Sequence, residues 1–185
     1  MTTAPRPSLL AALAVTAAVS ACATGPMPAP MFSQAALPAP VQVPAGHRVA
    51  METVGAGEIT YECRAKAGMP GTHEWVFVGP KATLTDRSGR TVGSYYGPPA
   101  TWESSDKSKL TGKQLAVAPA AAGSIPLQLV QADPAMGAGA MTGVTYIQRV
   151  ATQGGVAPAA PCTAQTAGAR QQVRYQADYI FWKAA

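Results

Sequence analysis

The sequence is poor in charge and in aromatic residues. Only 12% of its 185 residues are Asp, Glu, Lys or Arg, and 6% are aromatic, whereas an ordinary soluble protein has about 25% charged residues. Alanine dominates the hydrophobic share of 48%, and an alanine side chain buries little surface. A chain of this length supplies one domain, whose core must therefore come from a few larger side chains.

Recognisable catalytic and cofactor-binding patterns are missing as well. The sequence has no G-x-S-x-G elbow, no H-E-x-x-H helix and no G-x-G-x-x-G loop. The Gly-rich stretch 137–140 carries no Lys and leads into no helical pattern, so we expect no phosphate site there. The basic residues, which give a net charge of +5, are scattered and predict no nucleic-acid partner. We expect no cofactor.

The longest apolar run lies at the N terminus. Residues 9–19 are almost entirely Ala, Leu and Val, but the run is shorter than the about 20 residues that cross a bilayer. Arg6 precedes it, and Ser20-Ala21 supplies the small residues of a cleavage site. Cys22 then stands where a bacterial lipoprotein carries its lipid. We expect residues 1–21 to be a lipoprotein signal peptide; an ordinary secretory signal beside an unmodified Cys22 is the alternative.

A lipid on Cys22 would anchor the protein to a membrane, which is thus its expected partner. Ala23 follows it rather than Asp, which favours an outer-membrane lipoprotein by resemblance to enterobacterial sorting; a secreted or soluble periplasmic protein is the alternative. Residues 22–43 are rich in Pro and Ala, which favour extended backbone. We predict that they form a tether and that residues 44–185 form the folded domain.

The domain has the periodicity of strands. In residues 173–182, apolar side chains alternate with Arg174, Gln176 and Asp178, as in a strand with one buried face. Strands are predicted at 48–53, 58–63, 73–78, 83–86, 91–95, 114–118, 127–131, 143–150 and 173–182. Many short strands separated by turns predict an all-β fold, a single antiparallel β-sandwich or barrel-like domain.

One of the three cysteines follows the predicted signal peptide, and the other two lie in the predicted domain. If Cys22 carries lipid, Cys63 and Cys162 remain, and an even pair outside the cytoplasm favours a disulfide. The alternative is a metal pair with His47 or His73. Because these residues lack the C-x-x-C spacing of zinc sites, we expect the disulfide and no metal.

Several stretches of the domain are distinctive together: GPPATWE at 97–103, IPL at 125–127, VTYIQRV at 144–150, TQGGVAP at 152–158, Cys162, and YQADY at 175–179. They resemble a family of secreted bacterial and fungal proteins known as a domain of unknown function, DUF3455, over nearly the whole mature domain. Family members usually have Gly-Pro-Thr-Trp-Glu, where Pro99-Ala100 here adds a residue, and a His is common where Tyr95-Tyr96 stands. The resemblance implies a β-rich secreted domain with one disulfide and supplies no activity.

One polar cluster invites a catalytic interpretation. Glu103 and Asp106 are three residues apart beside Trp102, and glycoside hydrolysis uses a pair of carboxylates. In the structural alternative, Trp102 belongs to the core, Asp106 is a turn residue and Glu103 is paired with a nearby Arg.

The lack of a catalytic signature favours a non-enzymatic envelope protein that binds a surface glycan, a small ligand or a protein. Tyr95, Tyr96 and Trp102 are its expected exposed contact residues, because aromatic side chains suit such contacts. The alternative is an extracytoplasmic hydrolase that uses Glu103 and Asp106, and a third possibility is a structural secreted domain without a ligand.

Overall fold

The fold is all-β, as the sequence predicts. A computed structural model describes residues 1–2 and 32–185; the predicted signal peptide and Cys22 lie outside the described residues. The strands are β1 (His47–Ala65), β2 (His73–Thr85), β3 (Thr91–Tyr96), β4 (Thr101–Ser104), β5 (Lys109–Leu110), β6 (Gly112–Ala118), β7 (Leu127–Ala132), β8 (Val144–Gly154) and β9 (Arg170–Ala184). The helical elements of the described residues are two short 3₁₀ helices, Ala39–Val41 and Ala164–Thr166.

The strands form one antiparallel sheet in the order β5-β4-β3-β2-β1-β9-β8-β7-β6. The two outer strands of this order, β5 and β6, are neighbours in the chain and are separated only by Thr111. β5 pairs with β4 and β6 pairs with β7, and the Thr111 carbonyl also accepts a hydrogen bond from the Asp133 amide at 2.9 Å. One bent strand thus joins both edges, and the sheet closes almost completely into a barrel.

Alternation along β9 fills the interior of the barrel. Ala177, Tyr179 and Phe181 are fully buried in the interior cluster, because successive strand side chains point to opposite faces. Trp102 of β4 and Met141 of the β7–β8 loop belong to the same cluster. The predicted apolar face of residues 173–182 is therefore confirmed.

Two predicted breaks do not interrupt the sheet. The segments predicted as 48–53 and 58–63 are one strand, β1, and the two segments predicted within 73–86 are also one strand, β2. The glycines between them are sites of close approach rather than turns. A β-carbon at Gly55 would lie 2.5 Å from Cε2 of Tyr179, and one at Gly79 would collide with the carbonyl oxygen of Gly97.

A second hydrophobic cluster lies on the outside of the barrel. Residues 32–44, here called the strap, pack against outward side chains of β6 to β9, and Val41 is fully buried among them. One compact unit of the chain spans Phe32–Ala185 and includes the strap. The prediction of a tether over residues 22–43 is therefore corrected for residues 32–43, which pack against the barrel. Residues 22–31 lie outside the described residues.

Gln148 of β8 fixes the strap through its fully buried amide. Its Nε2 donates to the carbonyl oxygen of Val41 at 2.6 Å and to Oε1 of Gln34 at 3.0 Å. Its Oε1 accepts a hydrogen bond from Nε1 of Trp182 at 2.9 Å. Each hydrogen-bonding side of the amide is thus used, as a buried polar group requires.

The predicted disulfide is present. Cys63, at the end of β1, is bonded to Cys162 in the loop before β9, across 99 residues of sequence. Trp75 Nε1 donates to the carbonyl oxygen of Ala160 at 2.7 Å, which holds the same loop against β2.

Candidate functional site

Glu103 lies on the outer face of β4 and is engaged by two neighbours. Its Oε2 accepts a hydrogen bond from the Tyr96 hydroxyl at 2.8 Å, and its Oε1 lies 3.5 Å from Nζ of Lys107. The Tyr96 hydrogen bond, with Lys107 in support, lowers the pKa of Glu103 below its ordinary value. Because a general acid must be protonated near neutral pH, Glu103 is suited to accepting hydrogen bonds and not to donating a proton.

Asp106 holds a turn together. Its Oδ1 accepts hydrogen bonds from the backbone amide and the hydroxyl of Ser108, and its Oδ2 accepts one from the Ala140 amide at 2.7 Å. These bonds, chiefly that of the Ser108 hydroxyl, lower the pKa of Asp106 to about 2. The carboxylate ties the β4–β5 turn to the loop that carries the buried Met141, and none of its hydrogen bonds joins it to Glu103.

Tyr95 and Trp102 lie inside the barrel. They are 6% and 1% exposed, they oppose each other across β3 and β4, and their rings stack with centroids 4.7 Å apart. Their burial contradicts the expectation of exposed contact residues. Neighbouring strand residues point to opposite faces, so the half-buried Tyr96 is the one member of the predicted aromatic trio on the outer face.

The outer face beside Tyr96 forms a concave groove. The groove has a volume of about 880 Å³ and crosses β9, β1, β2 and β3. Ala56, Thr83 and Ser94 form its small central residues, and longer polar side chains stand around them. Gly57 permits the close approach of β1 and β2 beneath the groove, because a β-carbon there would collide with the Lys81 carbonyl oxygen of the neighbouring strand.

A row of polar side chains crosses the groove in register. Arg174 opposes Glu58, Glu58 opposes Lys81, and Lys81 opposes Tyr96, so charges of both signs alternate along the row. Among the described residues, none of the three charged side chains belongs to an ion pair within 4.0 Å. The volume of this open groove lies within the range of small-ligand sites, about 300–1,000 Å³.

The two histidines weighed for a metal begin different strands, and the two cysteines are joined in the disulfide. The His47 ring packs edge-on against Tyr146, 4.9 Å between centroids, whereas His73 begins β2 beside Ala65. Within residues 1–2 and 32–185, no group of three or more His, Cys, Asp or Glu side chains is placed to hold a metal ion. In the same part of the chain, no helix is long and apolar enough to cross a membrane.

The fold and this surface define a small antiparallel β-barrel domain with an N-terminal strap, one disulfide and an outer groove that a row of polar side chains crosses. Residues 44–183 match the family described as "Protein of unknown function (DUF3455)", and the chain belongs to this family. No curated protein and no solved structure matches the chain.

Most groove residues were missed by sequence reasoning. Arg174 and Gln176 could be placed on the outer face of their strand from the alternation in residues 173–182. Glu58, Lys81 and Ser94 gave no signal, because only the pairing of separate strands brings them together.

Proposed function

We propose that this chain is an extracytoplasmic lipoprotein whose barrel is a non-enzymatic binding domain for carbohydrate. The observation that carries this proposal is the groove crossed by Arg174, Glu58, Lys81 and Tyr96. Its side chains offer both donors and acceptors, as sugar hydroxyls require, and the Tyr96 ring offers an apolar face with a polar rim.

The two carboxylates favour binding over hydrolysis. A glycosidase needs one carboxyl group kept protonated opposite a second across a cleft. Glu103 and Asp106 both have lowered pKa values and separate hydrogen-bond partners. Glu103 instead orients Tyr96 at the end of the groove, which suits a residue that positions a contact.

The placement outside the cytoplasm is supported by two independent features. The Cys63–Cys162 disulfide suits an oxidising compartment. The sequence before Cys22 has the pattern of a lipoprotein signal, so the membrane partner of the proposal is the lipid on Cys22, in the outer membrane by the Ala23 argument.

The ligand class is tested by isothermal titration calorimetry, in which the purified full-length protein is titrated with a panel of neutral cell-envelope oligosaccharides. We expect saturable binding that weakens about tenfold in Tyr96→Ala and Arg174→Ala, since stacking and charged hydrogen bonds each contribute about 1 kcal/mol or more. Lys113→Ala, on β6 outside the groove, is the matched control. Binding that is unchanged in both groove variants, or absent for every oligosaccharide, contradicts the proposal.

The anchor is tested separately by cell fractionation. We expect the unaltered chain in the membrane fraction and the Cys22→Ala variant in the soluble extracytoplasmic fraction, because several acyl chains hold a protein to a bilayer. Thr24→Ala, two residues after Cys22, keeps both Cys22 and the disulfide and serves as the control. A Cys22→Ala variant that stays in the membrane fraction contradicts lipidation.

A further inference from the structure

Two neighbouring polar side chains of β7 and β8, Gln128 and Arg149, point into the barrel. Ile147 and Val130 are interior core residues of β8 and β7. Arg149 and Gln128 lie two residues from them on regular parts of the same strands and oppose each other. Side chains two apart share a face, so the guanidinium and the amide both face inward.

The interior reaches solvent beside these residues. Val117 of β6 opposes Gln128 and therefore shares its face, yet Val117 is 45% exposed. Arg149 and Gln128 are half-buried, and the Gln128 amide donates to Oε1 of Gln114 on β6. We call this opening, lined by Gln114, Val117, Gln128 and Arg149, the lumen cleft; it is separate from the outer groove.

The guanidinium of Arg149 has donors to spare. Its Nε and Nη2 both donate to the carbonyl oxygen of Pro126, at 3.2 and 3.0 Å. No carboxylate of the described residues lies within 4.0 Å of it. A guanidinium carries five N–H donors in a planar fork that matches an oxyanion, so one carbonyl leaves most of this capacity unused.

Tyrosines complete the surroundings of Arg149. Tyr179 opposes Arg149 on β9, and its hydroxyl lies 3.2 Å from that of Tyr175. Burial raises the pKa of four tyrosines, and the charge of Arg149 opposes this rise in each of them: Tyr61, Tyr95, Tyr175 and Tyr179. The Arg149 guanidinium therefore lies near tyrosine hydroxyl groups and has no carboxylate partner among the described residues.

We propose that the lumen cleft binds the oxyanion of a small organic acid, with Arg149 as its anchor. The two oxygens of a carboxylate accept hydrogen bonds from the guanidinium fork, the Gln128 amide donates a further one, and the apolar part of the ligand contacts Val117. A phosphate group offers the same chemistry to the same donors, and the experiment separates the two sources.

The proposal is tested on the full chain with benzoate, with inorganic phosphate and with benzamide as the neutral analogue of benzoate, by calorimetry. We expect saturable binding of benzoate and none of benzamide. Binding should weaken about tenfold or more in Arg149→Gln and remain unchanged in Arg174→Gln, which alters the outer groove alone.

Gln128→Glu provides a test that keeps Arg149. It places a carboxylate opposite the guanidinium, and we expect it to abolish benzoate binding while raising the melting temperature of the protein. This variant remains decisive if Arg149→Gln fails to fold. Binding of phosphate in place of benzoate supports the site and assigns it to phosphate ligands. The proposal is overturned if Gln128→Glu binds benzoate as well as the unaltered chain does. It is also overturned if the unaltered chain binds neither anion saturably. Oligosaccharide binding at the outer groove does not depend on either result.

Discussion

The inner hydrophobic cluster and the outer cluster beneath the strap are built from different kinds of sequence. The inner cluster uses large side chains on alternating strand positions, such as Trp102, Tyr179 and Phe181. The outer cluster joins one face of β6 to β9 to a Pro/Ala-rich segment without strand structure. The difference shows that an outward barrel face becomes a core when a neighbouring segment covers it, and that composition alone does not mark such a segment as packed.

The largest effect is expected inside the barrel. Phe181 is fully buried in the inner cluster, and Phe181→Ala should lower the free energy of unfolding by about 3–5 kcal/mol. Val41→Ala, a smaller truncation in the outer cluster, should cost roughly 1.5 kcal/mol, since it removes two carbon groups at about 0.8 kcal/mol each. Urea unfolding measures both, and equal costs would contradict the ranking of the two clusters.

The disulfide should follow closely. It joins residues 99 apart, and removing a native bridge from a small secreted domain typically costs about 2–5 kcal/mol. We expect the double variant Cys63→Ser, Cys162→Ser to melt at a much lower temperature than the unaltered chain. Reduction of the unaltered chain should have the same effect, and a melting temperature that reduction leaves unchanged would rule out this contribution.

Loss of the Gln148 amide should loosen the strap more than the barrel. Gln148→Ala leaves the Val41 carbonyl and the Trp182 indole without their partner, and a buried polar group without a partner costs about 1–3 kcal/mol. Hydrogen exchange should accelerate in residues 32–44 and stay slow in β9. Uniform acceleration over both regions would show that strap and barrel unfold as one unit.

The smallest effect is expected from Asp106 and depends on pH. Its pKa is lowered to about 2 in the folded protein from 3.8. A depressed pKa stabilises the fold above the unfolded value, and this contribution disappears as the pH falls through about 2. The melting temperature of Asp106→Asn should therefore lie below that of the unaltered chain at neutral pH, and the gap should narrow between pH 4 and pH 2. A gap independent of pH in this range would assign the effect to the geometry of the turn.

The sequence predicted the inner cluster better than the outer one. Alternation in residues 173–182 identified the buried face of β9. The disulfide was predicted because Cys63 and Cys162 remain as a pair when Cys22 is set aside. The strap was missed because prolines and alanines read as an extended tether, while the hydrogen bonds that fix it come from Gln148, more than a hundred residues away. Such long-range contacts leave no local signal.

The candidate site was predicted only in part. Tyr96 and Glu103 do lie on the outer face. Tyr95 and Trp102 were expected as exposed contact residues, but they are buried, as the structural alternative had it for Trp102; their direction depends on the pairing of β3 with β4. Arg149 stood within a stretch that carried the family resemblance, yet its inward direction follows only from the register of β8 with β9.

The strap also sets how the molecule responds to force. An anchor at the N terminus would transmit any pull to Phe32 first. The strap is held by side-chain packing and by the Gln148 hydrogen bonds rather than by strand pairing, so it can separate from the barrel one contact at a time. β1 beyond it is bonded along both edges, to β2 and β9, so a pull along this strand loads many hydrogen bonds together. Peeling of the strap would lengthen the chain by up to roughly 45 Å at about 3.4 Å per residue, so the strap would extend before a pull loads the strands of the barrel.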